Sequence, residues 1–500
     1  MVNRNQLKTM VIACVAIVLM VMLSFAAFHL FTRKTAEDRM RRFFDSNTNK
    51  DILFIGTSQV AADVSPMELW EHYGYSSYIL CAAKDGVQRD LAMLRIALRY
   101  TTPKLVVINT DRYWKQDSTE DQLAGFHMFA DAVPITKTKI DATYELYDRS
   151  ADRARILFPF SEYHARWKEI ADGDFVPDPN PGIMRGATYG TGLGHPVRYD
   201  MIDRSEKEVP EGDGQKILGE IITECHKRGI EVFLLTLPLE ADAKQQRWFN
   251  SLDDLAERCG IEHVNLLGRT DIYDYDTDFS DGAHMNVSGS RKVSAFLGEQ
   301  VLPKYEIPSR YDDPVYLQEW GDDYAQYLEM KHENLRSAAG LESFLVQCHD
   351  DTLNLVIYIE GGSSSFRDQQ TFKLIGNIID LEKIKEAKEN EQNYYAVIDY
   401  NSGLLREEIS PADELETETS FGKAKLTFDD SGKPILTVGD DTKNYFEMEG
   451  HGDICIAVFD RWSGKHICTK AFKTSRVLKA ESRDPGAEAE TEAVDDLLAQ

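Results

Sequence analysis

The strongest constraint on the fold is a series of short, uninterrupted apolar runs that alternate with helix-like segments. A run that is apolar at nearly every position predicts a strand buried on both faces, which is typical of parallel sheets covered by helices. The segments between the runs place apolar residues at helical spacing, so strands and helices alternate along the chain. We therefore predict an α/β domain with a parallel sheet. The runs are residues 51–56, 77–82, 103–110 and 230–238, and a fifth strand is predicted over 261–267.

The first apolar run ends in a polar sequence that is typical of a functional site. Ser58 follows Gly56 and Thr57, directly after the run. Ligands of open α/β sheets bind beyond the carboxyl ends of the strands, so a serine at this position is placed where a nucleophile is needed. A serine that caps the next helix is the simpler alternative. The choice between them depends on a base elsewhere in the chain.

One of the 12 histidines has the surroundings of a general base. Asp281 precedes His284 by three residues in "DGAH", just before a helix predicted from about Ser288. A carboxylate at this spacing reaches the Nδ1–H of the imidazole, which leaves Nε2 free to take a proton from a hydroxyl. Asp281 and His284 are therefore candidates for the orienting carboxylate and the base. A turn with a surface histidine has the same spacing and is the alternative.

The two motifs together resemble those of the SGNH (GDSL-like) hydrolases and acyltransferases. "FIGTSQVAADVSPMELW" resembles the motif that carries the nucleophile, and "DFSDGAHMNVSGSRKVSAFLG" resembles the D-x-x-H motif. The resemblance is strongest to the membrane-anchored branch that includes the D-alanyl transfer protein of teichoic acids and the alginate O-acetylation proteins. It implies a flavodoxin-like parallel sheet and a serine esterase or O-acyltransferase, with Ser58 as nucleophile, His284 as base and Asp281 as its partner. We expect no cofactor and no metal.

The oxyanion hole is where the chain departs from that family. Members have a glycine at the end of the second strand, and many have a G-x-N-D motif, but this chain has "LCAAKDG" and no G-x-N-D. We expect backbone N–H groups of Ser58 and Ala82 to serve, with Cys81 or Ala83 as alternatives to Ala82, and Asn109 as a substitute side-chain donor. Each missing donor costs about 2.7–4 kcal/mol of barrier. A non-catalytic, anchored glycan-binding or scaffold protein is therefore the alternative function.

A long, mostly polar insert between the third and fourth strands contains the candidate substrate-binding residues. They lie in "SEYHARW" and are His164, Arg166 and Trp167. Arg166 suits an anionic group or a carbohydrate hydroxyl, and Trp167 suits stacking on a sugar ring. An amphipathic helix with a packed tryptophan is the alternative. The family resemblance implies acetyl or D-alanyl groups on cell-surface polysaccharide or teichoic acid, and a membrane-bound O-acyltransferase as partner.

An apolar segment near the N-terminus predicts a membrane anchor. Residues 10–28 carry no charge and no proline, and at ~1.5 Å per residue they span roughly 28 Å, close to the ~30 Å hydrocarbon core. A cleaved signal peptide is the alternative, but "SFAAFHLF" is a poor cleavage site. Basic residues on both sides leave the orientation open. The family resemblance implies a single-pass cell-membrane protein whose main domains are extracytoplasmic.

The pattern changes after Pro303. A charged helical segment is followed from about residue 344 by strands and turn pairs, which predict an all-β sandwich. Its end, residues 450–474, resembles the interleukin-like (ILEI-type) sandwich, which implies glycan or partner binding. An acidic tail is expected to be disordered. The predicted units are a cytoplasmic N-terminus with the anchor (1–35), the SGNH-like domain (36–305), a helical linker (306–343), the sandwich (344–476) and the tail (477–500).

Charge and cysteine spacing exclude several other functions. The net charge of −28 argues against a nucleic-acid partner, because a polyanion would be repelled. There is no C-x-x-C pair, so the sequence supports neither a zinc ribbon nor a thioredoxin-type site. Cys348, Cys455 and Cys468 fall in one region. A pair of them could form a disulfide, or all three could be buried small apolar residues.

Overall fold

A computed structural model describes residues 4–31, 34–81, 87–114, 119–159, 163–170, 172–175, 182–446 and 453–472. The chain begins with helices α1 (Arg4–Phe31) and α2 (Lys34–Asp45), and the apolar segment 10–28 lies within α1. Over the described ranges, no helix has both the length and the apolar character that crossing a membrane requires. The membrane anchor stays a prediction. The predicted tail, 477–500, lies outside the described residues.

The first domain is built on a five-stranded parallel sheet, as the apolar runs predicted. Its order is β2-β1-β3-β4-β5, the flavodoxin-like order of doubly wound sheets. All residues of the first three strands are buried, which explains why most positions in those strands are apolar. The strands are β1 (Ile52–Gly56), β2 (Ser77–Cys81), β3 (Leu105–Asn109), β4 (Glu231–Thr236) and β5 (Glu262–Asn265).

Helices in two groups cover this sheet. One group packs α3 and α4 against α13, and the other packs α5 against α10. The helices are α3 (Ser58–Asp63), α4 (Pro66–Tyr73), α5 (Val87–Ala97), α6 (Thr119–Ala130), α7 (Lys137–Leu146), α8 (Ser150–Leu157), α9 (Asp172–Phe175), α10 (Gly214–His226), α11 (Ala243–Asn250), α12 (Leu252–Cys259) and α13 (Val287–Phe296). Short 3₁₀ turns span His164–Lys168 and Leu302–Tyr305, and a π-helical turn, Leu297–Val301, extends α13.

The C-terminal region contains two antiparallel sheets whose facing apolar side chains form one core. The larger sheet has the order β13-β12-β6-β7-β8, and the smaller has the order β11-β10-β9. The strands are β6 (Leu353–Ile359), β7 (Tyr394–Asp399), β8 (Leu404–Ile409), β9 (Glu414–Thr419), β10 (Gly422–Phe428), β11 (Pro434–Val438), β12 (Ile454–Asp460) and β13 (His466–Phe472). The expected pair of packed sheets is therefore present.

The prediction that this region is all-β is wrong, because helices cover the other face of the larger sheet. Residues 344–350, which were expected to form a strand, lie largely in a helix. The preceding helix, expected as a linker, is packed into the protein, with Trp320 fully buried. The helices are α14 (Pro314–Ser337), α15 (Leu341–Cys348), α16 (Ser364–Arg367), α17 (Gln369–Ile378) and α18 (Lys383–Glu389).

The three C-terminal cysteines are buried and form no disulfide in the described residues, so the second alternative for them holds. Cys348 and Cys468 lie in the core between the larger sheet and its helices, whereas Cys455 lies between the two sheets. Burial raises the pKa of the Cys455 thiol to about 12. These thiols therefore pack as small apolar groups.

Candidate functional site

Ser58 lies at the carboxyl end of β1, where it meets His284 and Asp281 from a loop 226 residues further along the chain. Ser58 Oγ lies 2.8 Å from His284 Nε2. The other ring nitrogen, Nδ1, lies 3.1 and 3.0 Å from the two carboxylate oxygens of Asp281. Ser58 is partly exposed, while only 8% of His284 is accessible. The arrangement is that of a nucleophile, a base and an orienting carboxylate.

The nucleophile is held at the first residue of α3, and a different residue caps that helix. Thr57 has an extended backbone and is the N-cap, with its Oγ1 accepting the backbone N–H of Gln59. Ser58 therefore does not serve as the helix cap, which was the simpler alternative for it. Its hydroxyl is left to contact His284.

The base is held in a short loop by its own carboxylate partner. Asp281 Oδ1 also accepts the backbone N–H groups of Ala283 (2.7 Å) and His284 (2.9 Å). Burial raises the pKa of the Asp281 carboxyl, but the hydrogen bonds from His284 and the two N–H groups outweigh burial, so its pKa is lowered. Asn286 then caps α13 through the N–H groups of the helix's first turn. The loop is thus tied at both ends of His284.

A glycine-rich segment, residues 186–194, runs beside this loop. Gly194 donates its N–H to Phe279 O, and Gly190 accepts the N–H of Val287, both at 2.8 Å. A Cβ on Gly194 would lie 2.4 Å from Ser280 O, so a side chain does not fit there. This segment falls in the insert predicted to be polar and helical, and its contact with the base loop was not predicted. Its signal is the spacing of four glycines in "GATYGTGLG".

The oxyanion donors are the less complete part of the site. The first N–H groups of a helix have no partner within the helix, and no described group accepts the N–H of Ser58. This N–H is available to a developing oxyanion. Asn109 is buried, and its amide donates to Gln59 Oε1 at 3.0 Å, so its expected oxyanion role finds no support. Ala82 lies outside the described residues.

A second carboxyl group lies next to the triad and was not anticipated. Thr57 Oγ1 donates to Asp111 Oδ2 at 3.0 Å. Burial raises the pKa of Asp111, although Arg112, Thr57 and His284 all oppose the increase. Arg112 has φ +55°, a left-handed conformation that is uncommon for a non-glycine residue and clusters at functional sites. The available signal was the sequence "NTDR" directly after β3.

The expected substrate-binding residues are not brought to Ser58 by any described contact. Arg166 donates to Asp174 at 2.6 Å in an ion pair within the insert. Trp167 is 61% exposed and lies next to Lys168. The side chain of His164 lies outside the described residues. The predicted substrate-binding role of these three residues stays a prediction.

One group of side chains in the described part of the chain has ligand atoms close enough to hold a cation. It comprises Glu68, Glu71 and His72, all in α4. Burial raises the pKa of Glu68, but His72, Lys331 and Arg291 outweigh burial, so its pKa is lowered to about 2. Two permanent cations already balance this carboxylate, so the group is better explained as a buried ion-pair network than as a metal site.

No protein-family model matches the chain, and no curated protein matches it significantly. The resemblances to the SGNH superfamily and to the ILEI-type sandwich therefore stay predictions that rest on short motifs.

Proposed function

We propose that this protein is a serine esterase or O-acyltransferase. Ser58 Oγ attacks the carbonyl carbon of an ester while His284 Nε2 takes the hydroxyl proton. The carbonyl oxygen becomes an oxyanion that accepts the Ser58 N–H. Collapse of this intermediate breaks the ester C–O bond, and His284 returns the proton to the leaving alcohol. A glycan hydroxyl or water then attacks the acyl-enzyme in the same way, which regenerates Ser58.

The observation that carries the proposal is the 2.8 Å separation of Ser58 Oγ and His284 Nε2. It is a hydrogen-bond distance between two groups that lie 226 residues apart in sequence. Because Asp281 occupies the Nδ1 side of the ring, a neutral imidazole has its Nε2 lone pair directed at the hydroxyl. The serine is also partly exposed, as a nucleophile must be.

The proposal is tested with a fluorescent fluorophosphonate, which reacts with activated serines. We expect labelling of the wild type and none of Ser58→Ala. Ser280→Ala is the matched control, since this hydroxyl lies in the base loop and bonds to Met285 O rather than to the imidazole. If folded wild-type protein is not labelled, the enzymatic proposal fails.

The substrate class is the more specific part of the proposal. We infer that the acyl group is acetyl or D-alanyl and that the acceptor is a cell-surface polysaccharide or teichoic acid. The resemblance of the two motifs supports this, and it also supports a membrane location and an O-acyltransferase partner. A donor ester should then be consumed faster when the polymer is added, whereas a simple esterase would show no acceleration.

The second candidate is a non-catalytic glycan-binding or scaffold protein with a degenerate site. It is favoured by the position of Asn109, whose amide bonds to Gln59 rather than being offered to a substrate. Retention of the protein on immobilised polymer, with no fluorophosphonate labelling, would favour this candidate.

A further inference from the structure

Asp63 connects the helix that carries the nucleophile to the loop that carries the base. It is the last residue of α3, five positions after Ser58. Its Oδ1 accepts the backbone N–H of Met285 at 2.8 Å, and Met285 directly follows His284. The side chain is completely buried. This hydrogen bond joins two segments that are 222 residues apart in sequence, beside the contact between Ser58 and His284.

The surroundings of Asp63 favour a neutral carboxyl group. Its second oxygen, Oδ2, has no hydrogen-bond partner among the described residues. Burial raises its pKa well above the usual range, the Met285 N–H opposes this, and the carboxyl groups of Asp281 and Asp111 raise it further. No cation is among the groups that influence it. A neutral acid can accept the Met285 N–H without placing a second negative charge beside the base.

We propose that Asp63 is a positioning residue that sets the distance between Ser58 and His284. This inference rests on the proposed function. The same short helix is held from another side, because Ala61 O accepts the N–H of Thr188 in the glycine-rich segment at 2.8 Å. Without the Asp63 acceptor, a buried Met285 N–H would lose its partner, and the base loop would be free to move away from α3.

The test compares Asp63→Asn with Asp63→Leu. Asparagine keeps the acceptor oxygen, so we expect labelling and ester turnover within about threefold of the wild type. Leucine keeps the branching at Cγ but has no acceptor, so we expect kcat and the labelling rate to fall about 100-fold, as a misplacement of about 1 Å does, with KM little changed. If Asp63→Leu does not fold, the asparagine variant still decides: a 100-fold loss in Asp63→Asn overturns the proposal.

The pH profile separates positioning from charge. If Asp63 is neutral, the rate of Asp63→Asn should fall over the same acidic pH range as that of the wild type; we call this range the acid limb of the profile. An ionised Asp63 would stabilise the imidazolium together with Asp281 and Asp111, so its removal would move the acid limb to lower pH. Such a shift would overturn the neutral-acceptor inference.

Two further measurements distinguish this inference from the proposed function. Hydrogen exchange of the Met285 amide should speed up in Asp63→Leu and not in Asp63→Asn, whether or not the protein is an enzyme. Unchanged exchange in the leucine variant would overturn the inference, and an unlabelled wild type would overturn only the proposed function. Asp399→Leu is the matched control, because this buried carboxylate accepts the Ser420 N–H at 2.7 Å in the C-terminal region. It should lose stability without slower labelling.

Discussion

Replacing Asp281 by asparagine tests the orienting role of the carboxylate without removing the loop it supports. The asparagine Oδ1 can still accept the N–H groups of Ala283 and His284. Its Nδ2, however, would face the imidazole Nδ1 in place of a carboxylate oxygen. An amide donor there requires Nδ1 to accept, so the ring proton moves to Nε2. The base would then present a proton to Ser58 rather than a lone pair.

The expected loss in rate follows from the effect of the wrong imidazole tautomer in other serine triads. The equivalent change lowers kcat by about 10⁴ in a deeply buried serine-protease triad, which is about 5.4 kcal/mol. In this protein the Asp281 side chain is 38% exposed, so water competes for the imidazole and softens the preference. We therefore expect a loss of about 10³-fold, or about 4 kcal/mol of barrier.

The assay is the second-order rate of fluorophosphonate labelling, with thermal unfolding measured on the same samples. We expect the rate to fall about 10³-fold while the unfolding temperature stays close to that of the wild type. Asp276→Asn is the matched control, since this nearby carboxylate pairs with Lys373 and Arg198 and does not contact the triad. A rate for Asp281→Asn within tenfold of the wild type would refute the reasoning.

Three other changes test the surroundings of the site. Gly194→Ala places a Cβ 2.4 Å from Ser280 O, so we expect a loss of about 1–3 kcal/mol in unfolding free energy and slower labelling. Lys331→Met removes one of two cations from buried Asp350, at 2.9 Å, and leaves Arg291 at 2.7 Å, so it should cost about 1–3 kcal/mol in urea unfolding. The carboxylate of Glu68, whose Oε2 lies 3.6 Å from His72 Nε2, raises the pKa of His72 to about 9. Protonated His72 therefore stabilises the folded protein fully below about pH 6.5, and this stabilisation is lost as the pH rises through 9. In His72→Gln the unfolding temperature should fall less over this pH range than it does in the wild type.

Matched variants keep these effects from being confused with general destabilisation. Gly219→Ala adds a Cβ with nothing within 4 Å and should leave stability unchanged or raise it by up to about 1 kcal/mol. Lys137→Met breaks an ion pair with Asp141 in which the lysine is 84% exposed, so it should cost no more than about 0.5 kcal/mol. Equal losses in Lys137→Met and Lys331→Met would contradict the role assigned to burial.

The parallel sheet could be predicted because its buried strands are rich in apolar residues. β1, β2 and β3 are buried at every position. Because both faces of such a strand are covered, its sequence is mostly apolar and does not alternate between apolar and polar residues. The same rule would have predicted the helices behind β6, which is buried along its whole length. In a sandwich strand with one face in solvent, apolar and polar residues would alternate along the sequence. The all-β prediction failed because turn pairs mark hairpins whether a sheet packs against helices or against a second sheet, and the larger sheet does both.

The residues of the candidate site differ in how far local sequence could identify them. Ser58 and His284 lie at a strand end and before a helix, which are positions that sequence patterns can locate. Asp63 and Asp111 have no such mark, because their importance comes from contacts with Met285 and Thr57. The helix Ser58–Asp63 is also too short for a period of 3.6 residues to show. Such contacts depend on how distant segments pack.

The capping of α3 explains how one short segment can serve both structure and chemistry. A serine cap would accept a backbone N–H through its Oγ and so compete with the base for that oxygen. With Thr57 as the cap, Ser58 keeps its hydroxyl for His284 and its own N–H for an oxyanion. Thr57 also donates to Asp111, so its hydroxyl is fully used. The pair Thr57-Ser58 therefore separates capping from nucleophilic attack, and exchanging the two residues should leave a helix that is capped by an unreactive serine.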